Sequence, residues 1–285
     1  MIYKDSIYFS IATHINFKKE YELTYDIIKT ISCFFDSHTD VPLMFNYIDN
    51  SGVKMNKITE KNKEKLYQKL IKENVFQFMI AEYMTSKEYY DTSENQRIPS
   101  SISCTIDFTD YSTNNWGISV SIPIEYMLDE KHITEFYSLF KQINEKLNGF
   151  NSFISRGSCF PTFAADSLSI FDSIHYSHQS FWNNCVRGYY WGCVINPEIV
   201  DKIGGIDYIE SQNFYKVEKW QDNLYIQTTE DLLKYSLEDA KRMRTLLFPA
   251  FPPQDMKKTV YESADDYFRA KSMNIEYFMV QEDLF

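Results

Sequence analysis

Segments with the alternating pattern of β-strands come in neighbouring pairs in this sequence, and this pairing most constrains the fold. The segments 102–108 and 116–124 are separated by a short polar stretch, and 214–220 and 224–228 by three polar residues. Strands joined by such short connections pair in the antiparallel sense. No regular alternation of single strands and helices runs through the chain. The sequence therefore predicts an α+β fold, with antiparallel or mixed sheets and helices packed mainly on one side.

Apolar stripes at helical spacing predict helices between these groups of strands. The clearest helix runs over 130–147, with Asp129 as its N-cap and Asn148-Gly149 at its end. Further helices are expected over 23–35, 59–72, 161–174, 196–205 and 232–247, the last with a second capping signal near 236. Further strands are expected over 7–17, 41–48, 75–83, 150–160 and 189–195.

The length and composition favour one compact body. The chain has 285 residues, of which 44% are hydrophobic and 17% aromatic. That is too apolar for a disordered chain. No flexible linker interrupts it, so we expect a single domain over 1–285. Two similar fused lobes, 1–149 and 150–285, are compatible with the order of the elements.

The charge of the chain excludes some partners and favours others. There are 29 basic and 40 acidic residues, which gives a net charge of −11. Binding to nucleic acid requires concentrated basic residues, so no nucleic-acid partner is expected. An acidic surface suits a basic protein partner, although net charge also serves solubility alone.

Cysteine usage and hydropathy predict a cytoplasmic protein. The five cysteines are scattered without a CxxC pair, which is typical of reduced thiols. No apolar run approaches the ~18 residues of a membrane span, and the first residues do not resemble a signal peptide. No membrane association is therefore expected.

One group of residues in the sequence has side chains that could form a catalytic or metal site. His175 and His178 are three residues apart, and Cys185 follows them, which suggests a hydrolase or metal-dependent enzyme as the alternative function. A metal site needs more ligands at matching spacing, and a nucleophile needs a base and an oxyanion donor. Ordinary histidines and a buried thiol explain these residues more simply. We therefore predict no enzyme, no catalytic residue, no cofactor and no metal site.

Tyrosines interleaved with acids indicate a surface that binds a protein. Tyrosine is enriched at interfaces because it combines apolar area with one polar group. Such residues cluster in the segment 82–94, and acids recur in the connection between the strands near 110. The predicted partner-binding residues are Glu82, Tyr83, Glu88, Tyr89, Tyr90, Asp91, Glu94, Asp107 and Asp110. Packing of these tyrosines against the body is an equally valid interpretation.

The segment 187–205 carries a family resemblance. It contains Arg-Gly-Tyr-Tyr-Trp-Gly at 187–192, Asn-Pro-Glu at 196–198 and Ile-Gly-Gly at 203–205. This pattern resembles bacterial type VI secretion immunity proteins of the group thought to neutralise VRR-NUC-type nuclease effectors, and related polymorphic-toxin immunity proteins. The motif itself is a buried strand that leads into a capped helix, so we expect it to be scaffold.

The resemblance implies a cytoplasmic immunity protein that is made beside a toxin. Such a protein binds its toxin stoichiometrically, and blocks the active site directly or holds the toxin inactive. The implied partner is a toxin with a basic cleft, for example a nuclease. Homodimerisation is compatible with this interpretation.

Overall fold

The computed structural model describes residues 6–40, 42–49, 52–72, 75–82, 102–107, 116–156, 186 and 189–250. These residues divide between two compact units: those up to 156 belong to the first unit, and those from 186 onward belong to the second. Both units combine antiparallel strands with helices, which confirms the predicted α+β class. Within the described ranges, no helix has both the length and the apolar character of a membrane span.

Seven strands form the sheet of the first unit, in the order β3-β2-β4-β5-β6-β1-β7. They are β1 (Ser6–Thr13), β2 (Leu43–Asp49), β3 (Gly52–Lys57), β4 (Val75–Glu82), β5 (Ser103–Asp107), β6 (Trp116–Pro123) and β7 (Phe150–Arg156). Every neighbouring pair is antiparallel. β5 and β6 are the strands of the predicted hairpin and pair with each other.

The core of the first unit forms between β1 and the helices. The helices are α1 (Tyr21–His38), α2 (Lys63–Lys72) and α3 (Glu130–Leu147). Alternate residues of β1, Ile7, Phe9 and Ile11, have no exposed surface, as period-two alternation requires. The ring of Phe9 lies 5.1 Å from that of Phe136 and 5.4 Å from that of Phe140, both on α3.

α3 begins and ends where the sequence predicts. The Asp129 carboxylate accepts a hydrogen bond from the Lys131 backbone N–H at 2.9 Å, and Asn148 ends the helix with a left-handed φ of 44°. α3 packs against the last turn of α1, where the rings of Phe34 and Phe136 are 5.7 Å apart. This contact brings the end of α1 beside the start of α3.

The second unit contains three antiparallel strands in the order β8-β10-β9. The strands are β8 (Gly192–Ile195), β9 (Lys216–Trp220) and β10 (Asn223–Gln227), and the helices are α4 (Pro197–Lys202), α5 (Ile206–Ser211) and α6 (Leu237–Leu247). The ring of Trp220 stacks on that of Tyr225 at 4.2 Å. β9 and β10 confirm the second predicted hairpin.

In the segment 187–205, which carries the family resemblance, the described residues support the fold. Tyr189 and Trp191 are buried, and the Trp191 indole N–H donates a hydrogen bond to Thr229 Oγ1 at 3.1 Å. The Asn196 side chain accepts a hydrogen bond from the Ile199 N–H at 3.0 Å, so the predicted N-cap of α4 is confirmed. Residues 187 and 188 lie outside the described residues.

Several local predictions were wrong or incomplete. Helix is predicted from 59, but α2 begins only at Lys63. Strand β3, at the edge of the sheet, was not predicted; lysines are common on such edges. Helix α5 was not predicted. The predicted helix 232–247 is interrupted: Leu232–Lys234 is a 3-10 turn, and α6 starts after a capping box between Ser236 and Asp239. The predicted helix 161–174 lies outside the described residues.

Candidate functional site

The predicted partner-binding residues fall partly on strand ends and mostly outside the described ranges. Glu82 is the last residue of β4, and Asp107 is the last residue of β5. In the antiparallel register Asp107 pairs with Gln77, five positions before Glu82, so the two acids lie ~17 Å apart along the ladder. The remaining residues lie outside the described part of the chain, and their role stays a prediction: Tyr83, Glu88, Tyr89, Tyr90, Asp91, Glu94 and Asp110.

The residues of the enzyme hypothesis, His175, His178 and Cys185, also lie outside the described residues. That hypothesis therefore stays untested. Among the cysteines that are described, Cys104 and Cys193 are buried. Burial raises the pKa of both thiols, that of Cys193 to about 12. Thiols in this state do not act as nucleophiles near neutral pH.

Three of the four exposed large apolar side chains that the structure describes in the second unit lie on α5 or on the turn after it; the fourth is Phe248, which follows α6. Ile206, Tyr208 and Tyr215 are 45%, 46% and 49% exposed. Exposed acids accompany them. We call this set the α5 surface: Ile206, Asp207, Tyr208, Glu210, Tyr215 and Glu230. A six-residue helix is only ~9 Å long. The four residues of the α5 surface that lie on the helix are therefore close enough together to contact one partner protein at the same time.

Both tyrosines of the α5 surface are held by local contacts. Gly204 has a φ of 109°, and a Cβ at this position would lie 3.1 Å from the Tyr208 ring. The ring therefore lies directly over the glycine. The Tyr215 hydroxyl donates a hydrogen bond to Glu230 Oε1 at 3.1 Å, which raises the pKa of Tyr215. Side chains that are ordered before binding lose less entropy when a complex forms.

Arg242 of α6 fixes the turn that connects the two tyrosines. Its guanidinium donates hydrogen bonds to the carbonyl oxygens of Gln212 and Asn213, at 3.3 and 3.1 Å. It also lies 5.3 Å from the centre of the Phe214 ring, a cation–π distance. Asn213 has a left-handed φ of 55°, so these hydrogen bonds stabilise a tight backbone turn.

A second exposed apolar site lies in the first unit, before α3. Leu128 is 70% exposed, and Glu125, Asp129 and Glu130 around it in sequence are exposed as well. We call these four residues the Leu128 turn. Unlike the α5 surface, it has a single apolar side chain, and that side chain is aliphatic.

One cluster of described side chains has the donor atoms of a metal site. It consists of His38 at the end of α1 and of His132 and Glu135 in the first part of α3, whose ligand atoms lie within 4.8 Å of one another. His38 Nε2 is 2.7 Å from Glu135 Oε2. This hydrogen bond lowers the pKa of the Glu135 carboxyl. This cluster was not among the sites predicted from the sequence.

The fold resembles that of a solved bacterial protein. The chain is similar to the type VI secretion system (T6SS) protein PA0821 of Pseudomonas aeruginosa, with a TM-score of 0.61 and 10% sequence identity. The match covers 87% of this chain and 73% of that protein. No family model matches the sequence, and no curated protein matches it either. At this identity the likeness shows a shared fold.

Proposed function

We propose that this chain is an immunity protein, which binds a cognate toxin of a type VI secretion system in the cytoplasm and neutralises it through a stoichiometric complex. The observation that carries the proposal is the fold shared with a T6SS protein over 87% of this chain. The sequence pattern at 187–205, which resembles T6SS immunity proteins, supports the same function from a separate line of argument.

The charge of the chain suits a toxin with a basic cleft. The net charge is −11, and complementary charge speeds encounter between partners and disfavours wrong ones. A nuclease fits this requirement, because its cleft has to bind phosphates. In this proposal the chain acts by occupying or distorting that cleft and not by catalysis.

The α5 surface is the described surface that best suits the centre of such a complex. Interface hot spots are enriched in tyrosine and are surrounded by residues that exclude water. Tyr208 and Tyr215 provide two such anchors, and the acids beside them would meet basic groups of the toxin. The tyrosines and acids of 82–94 have the same chemistry, and we propose them as a further part of the contact.

Co-expression tests the proposal. The toxin to use is the product of the gene adjacent to that of this chain. We expect this chain to restore growth to cells that produce the toxin and to co-purify with it in a 1:1 complex. Continued toxicity together with separate elution of the two proteins would reject the function.

A matched pair of variants tests the surface separately from the function. Tyr21 resembles Tyr215, since it is 52% exposed and its hydroxyl donates to a glutamate, Glu22, at 3.0 Å. We expect Tyr215→Ala to weaken protection and Tyr21→Ala to leave it unchanged. Equal effects of the two variants would remove the α5 surface from the proposal while leaving the immunity function intact.

A further inference from the structure

We propose that His38, His132 and Glu135 form a binding site for a divalent transition-metal ion of the zinc type, which joins the end of α1 to the start of α3. This site lies wholly within the first unit and does not depend on the proposed function. The three residues come from two helices that already pack against each other, through Phe34 and Phe136.

The two helices place the side chains on facing surfaces. His132 and Glu135 are three residues apart on α3, so they project from the same face. His38 is the last residue of α1. Its ring stacks on Phe34 with centroids 4.0 Å apart and meets the His132 ring edge-on at 4.8 Å. The packing therefore fixes the position of His38 beside the other two residues.

Backbone carbonyls determine which ring nitrogen of each histidine is available to a metal. His38 Nδ1 is 2.8 Å from the carbonyl oxygen of Phe34, and His132 Nδ1 is 3.0 Å from that of Tyr126. A carbonyl oxygen only accepts hydrogen bonds, so each Nδ1 carries the proton. In the neutral rings Nε2 then has the free lone pair. Metal-binding histidines in proteins are oriented by hydrogen bonds of this kind.

The ligand atoms need only small movements to surround an ion. Ligands about 2.0–2.1 Å from a tetrahedral metal are ~3.4 Å apart, and the three ligand atoms here lie within 4.8 Å of one another. The hydrogen bond between His38 Nε2 and Glu135 Oε2 is broken, its proton is released to solvent, and the ion takes the place of that proton. Side-chain rotation of Glu135, which is 40% exposed, supplies most of the movement.

The metal-binding cluster is largely shielded from solvent at the His38 side chain and open to solvent at Glu135. The His38 side chain is only 5% exposed, whereas Glu135 reaches solvent. Solvent therefore gives the ion an entry path and supplies water as a fourth ligand. Lys131 Nζ lies 3.6 Å from Glu135 Oε1, but its side chain is 74% exposed. It can turn away at small cost, because exposed ion pairs contribute little.

The donor set selects the class of metal. Two imidazole nitrogens and one carboxylate suit zinc and its neighbours in the first transition series, whereas calcium and magnesium prefer oxygen ligands alone. An ion that binds only the folded protein raises its stability by mass action. We therefore expect zinc to raise the melting temperature and magnesium to leave it unchanged.

Zinc binding by the full chain tests the inference. Isothermal titration of the metal-free protein with Zn²⁺ should give one site per chain. Its affinity should fall by more than about 100-fold in His132→Gln and in Glu135→Gln, which is above the range of about 10- to 100-fold that follows when only an outer partner of a ligand is removed. His14→Gln is the matched control, because His14 is exposed and stacks on Phe150, away from the cluster. It should bind zinc like the unmodified chain.

Three results would overturn the inference. One is the absence of saturable zinc binding by the unmodified chain. Another is binding that neither His132→Gln nor Glu135→Gln weakens, which would place the ion elsewhere. Both substitutions replace partly exposed side chains, and circular dichroism confirms that the variants are folded. Loss of affinity in His14→Gln equal to that in His132→Gln would likewise contradict the assignment.

Discussion

The α5 surface and the Leu128 turn are both exposed, apolar and acidic, yet they differ in how their apolar groups are supported. Leu128 is the more exposed at 70%, against 46% for Tyr208 and 49% for Tyr215. The Tyr208 ring lies against the backbone of Gly204, and the Tyr215 hydroxyl donates a hydrogen bond to the Glu230 carboxylate. The exposed fraction of an apolar side chain therefore does not by itself distinguish a binding surface from the rest of the protein surface. Aromatic groups that are ordered in advance are better anchors, because binding costs them less entropy.

The largest expected effect comes from removing both anchors. Tyr208→Ala combined with Tyr215→Ala should raise the dissociation constant of the toxin complex by ~100-fold or more, since hot-spot truncations each cost about 2 kcal/mol or more. Surface plasmon resonance with the purified toxin measures the change. Tyr21→Ala is the control and should shift the constant by less than about threefold. A double variant that binds the toxin as tightly as the control would show that the α5 surface is not part of the interface.

A smaller effect should follow from disturbing the support of one anchor. Gly204→Ala forces a Cβ to within 3.1 Å of the Tyr208 ring at a φ of 109°, whereas Gly205→Ala at a φ of 86° meets no atom within 4 Å. Both should lower the free energy of unfolding by about 1 kcal/mol or more, because of the left-handed backbone.

Only Gly204→Ala should also weaken toxin binding, by roughly tenfold, which corresponds to about 1.4 kcal/mol. Chemical denaturation measures the stability of each variant, and surface plasmon resonance on the same preparations measures its affinity for the toxin. If Gly205→Ala weakens toxin binding equally, the loss of affinity comes from backbone strain and not from the position of Tyr208.

Much of this molecule is predictable from the sequence where the signals are local. The cap of α3 at Asp129 and the Asn-Pro start of α4 are read from adjacent residues, and both form as expected. Helix α5 was missed because it is short and has one buried residue, Ile209, too few for an apolar stripe. Tyr208, which lies between Asp207 and Glu210, repeats the pattern of tyrosine among acids seen at 82–94, and that pattern was the available signal.

The histidine cluster depends on tertiary contacts that sequence patterns do not contain. His132 and Glu135 have helical spacing, but they become a potential site only beside His38, which is 97 residues before Glu135. The packing of Phe34 against Phe136 creates that proximity. No periodicity within either helix indicates which turn of α1 meets which turn of α3.

The acids of the α5 surface should act mainly on the rate of association. Asp207→Asn combined with Glu210→Gln should lower the association rate constant a few-fold and reduce its dependence on salt, while the dissociation rate changes little, as is typical of charges at an interface rim. Stopped-flow measurements at two salt concentrations test this. A change confined to the dissociation rate would indicate that these acids are buried in the complex.

The smallest effect is expected at the Leu128 turn. Leu128→Ala should change the dissociation constant of the complex by less than about twofold, because binding energy concentrates at the centre of an interface and side chains outside it contribute little. Surface plasmon resonance with the purified toxin measures this change as well. A loss comparable with that of the tyrosine variants would transfer the proposed interface to the first unit.

Titration of toxin activity with the purified chain measures directly whether the chain neutralises the toxin. The toxin encoded by the adjacent gene is kept at a fixed concentration well above the expected dissociation constant, and its activity is measured as the chain is added. We expect a linear fall to full inhibition at one chain per toxin, the result of a stoichiometric complex. Full toxin activity in the presence of a large excess of the chain would contradict the proposed function.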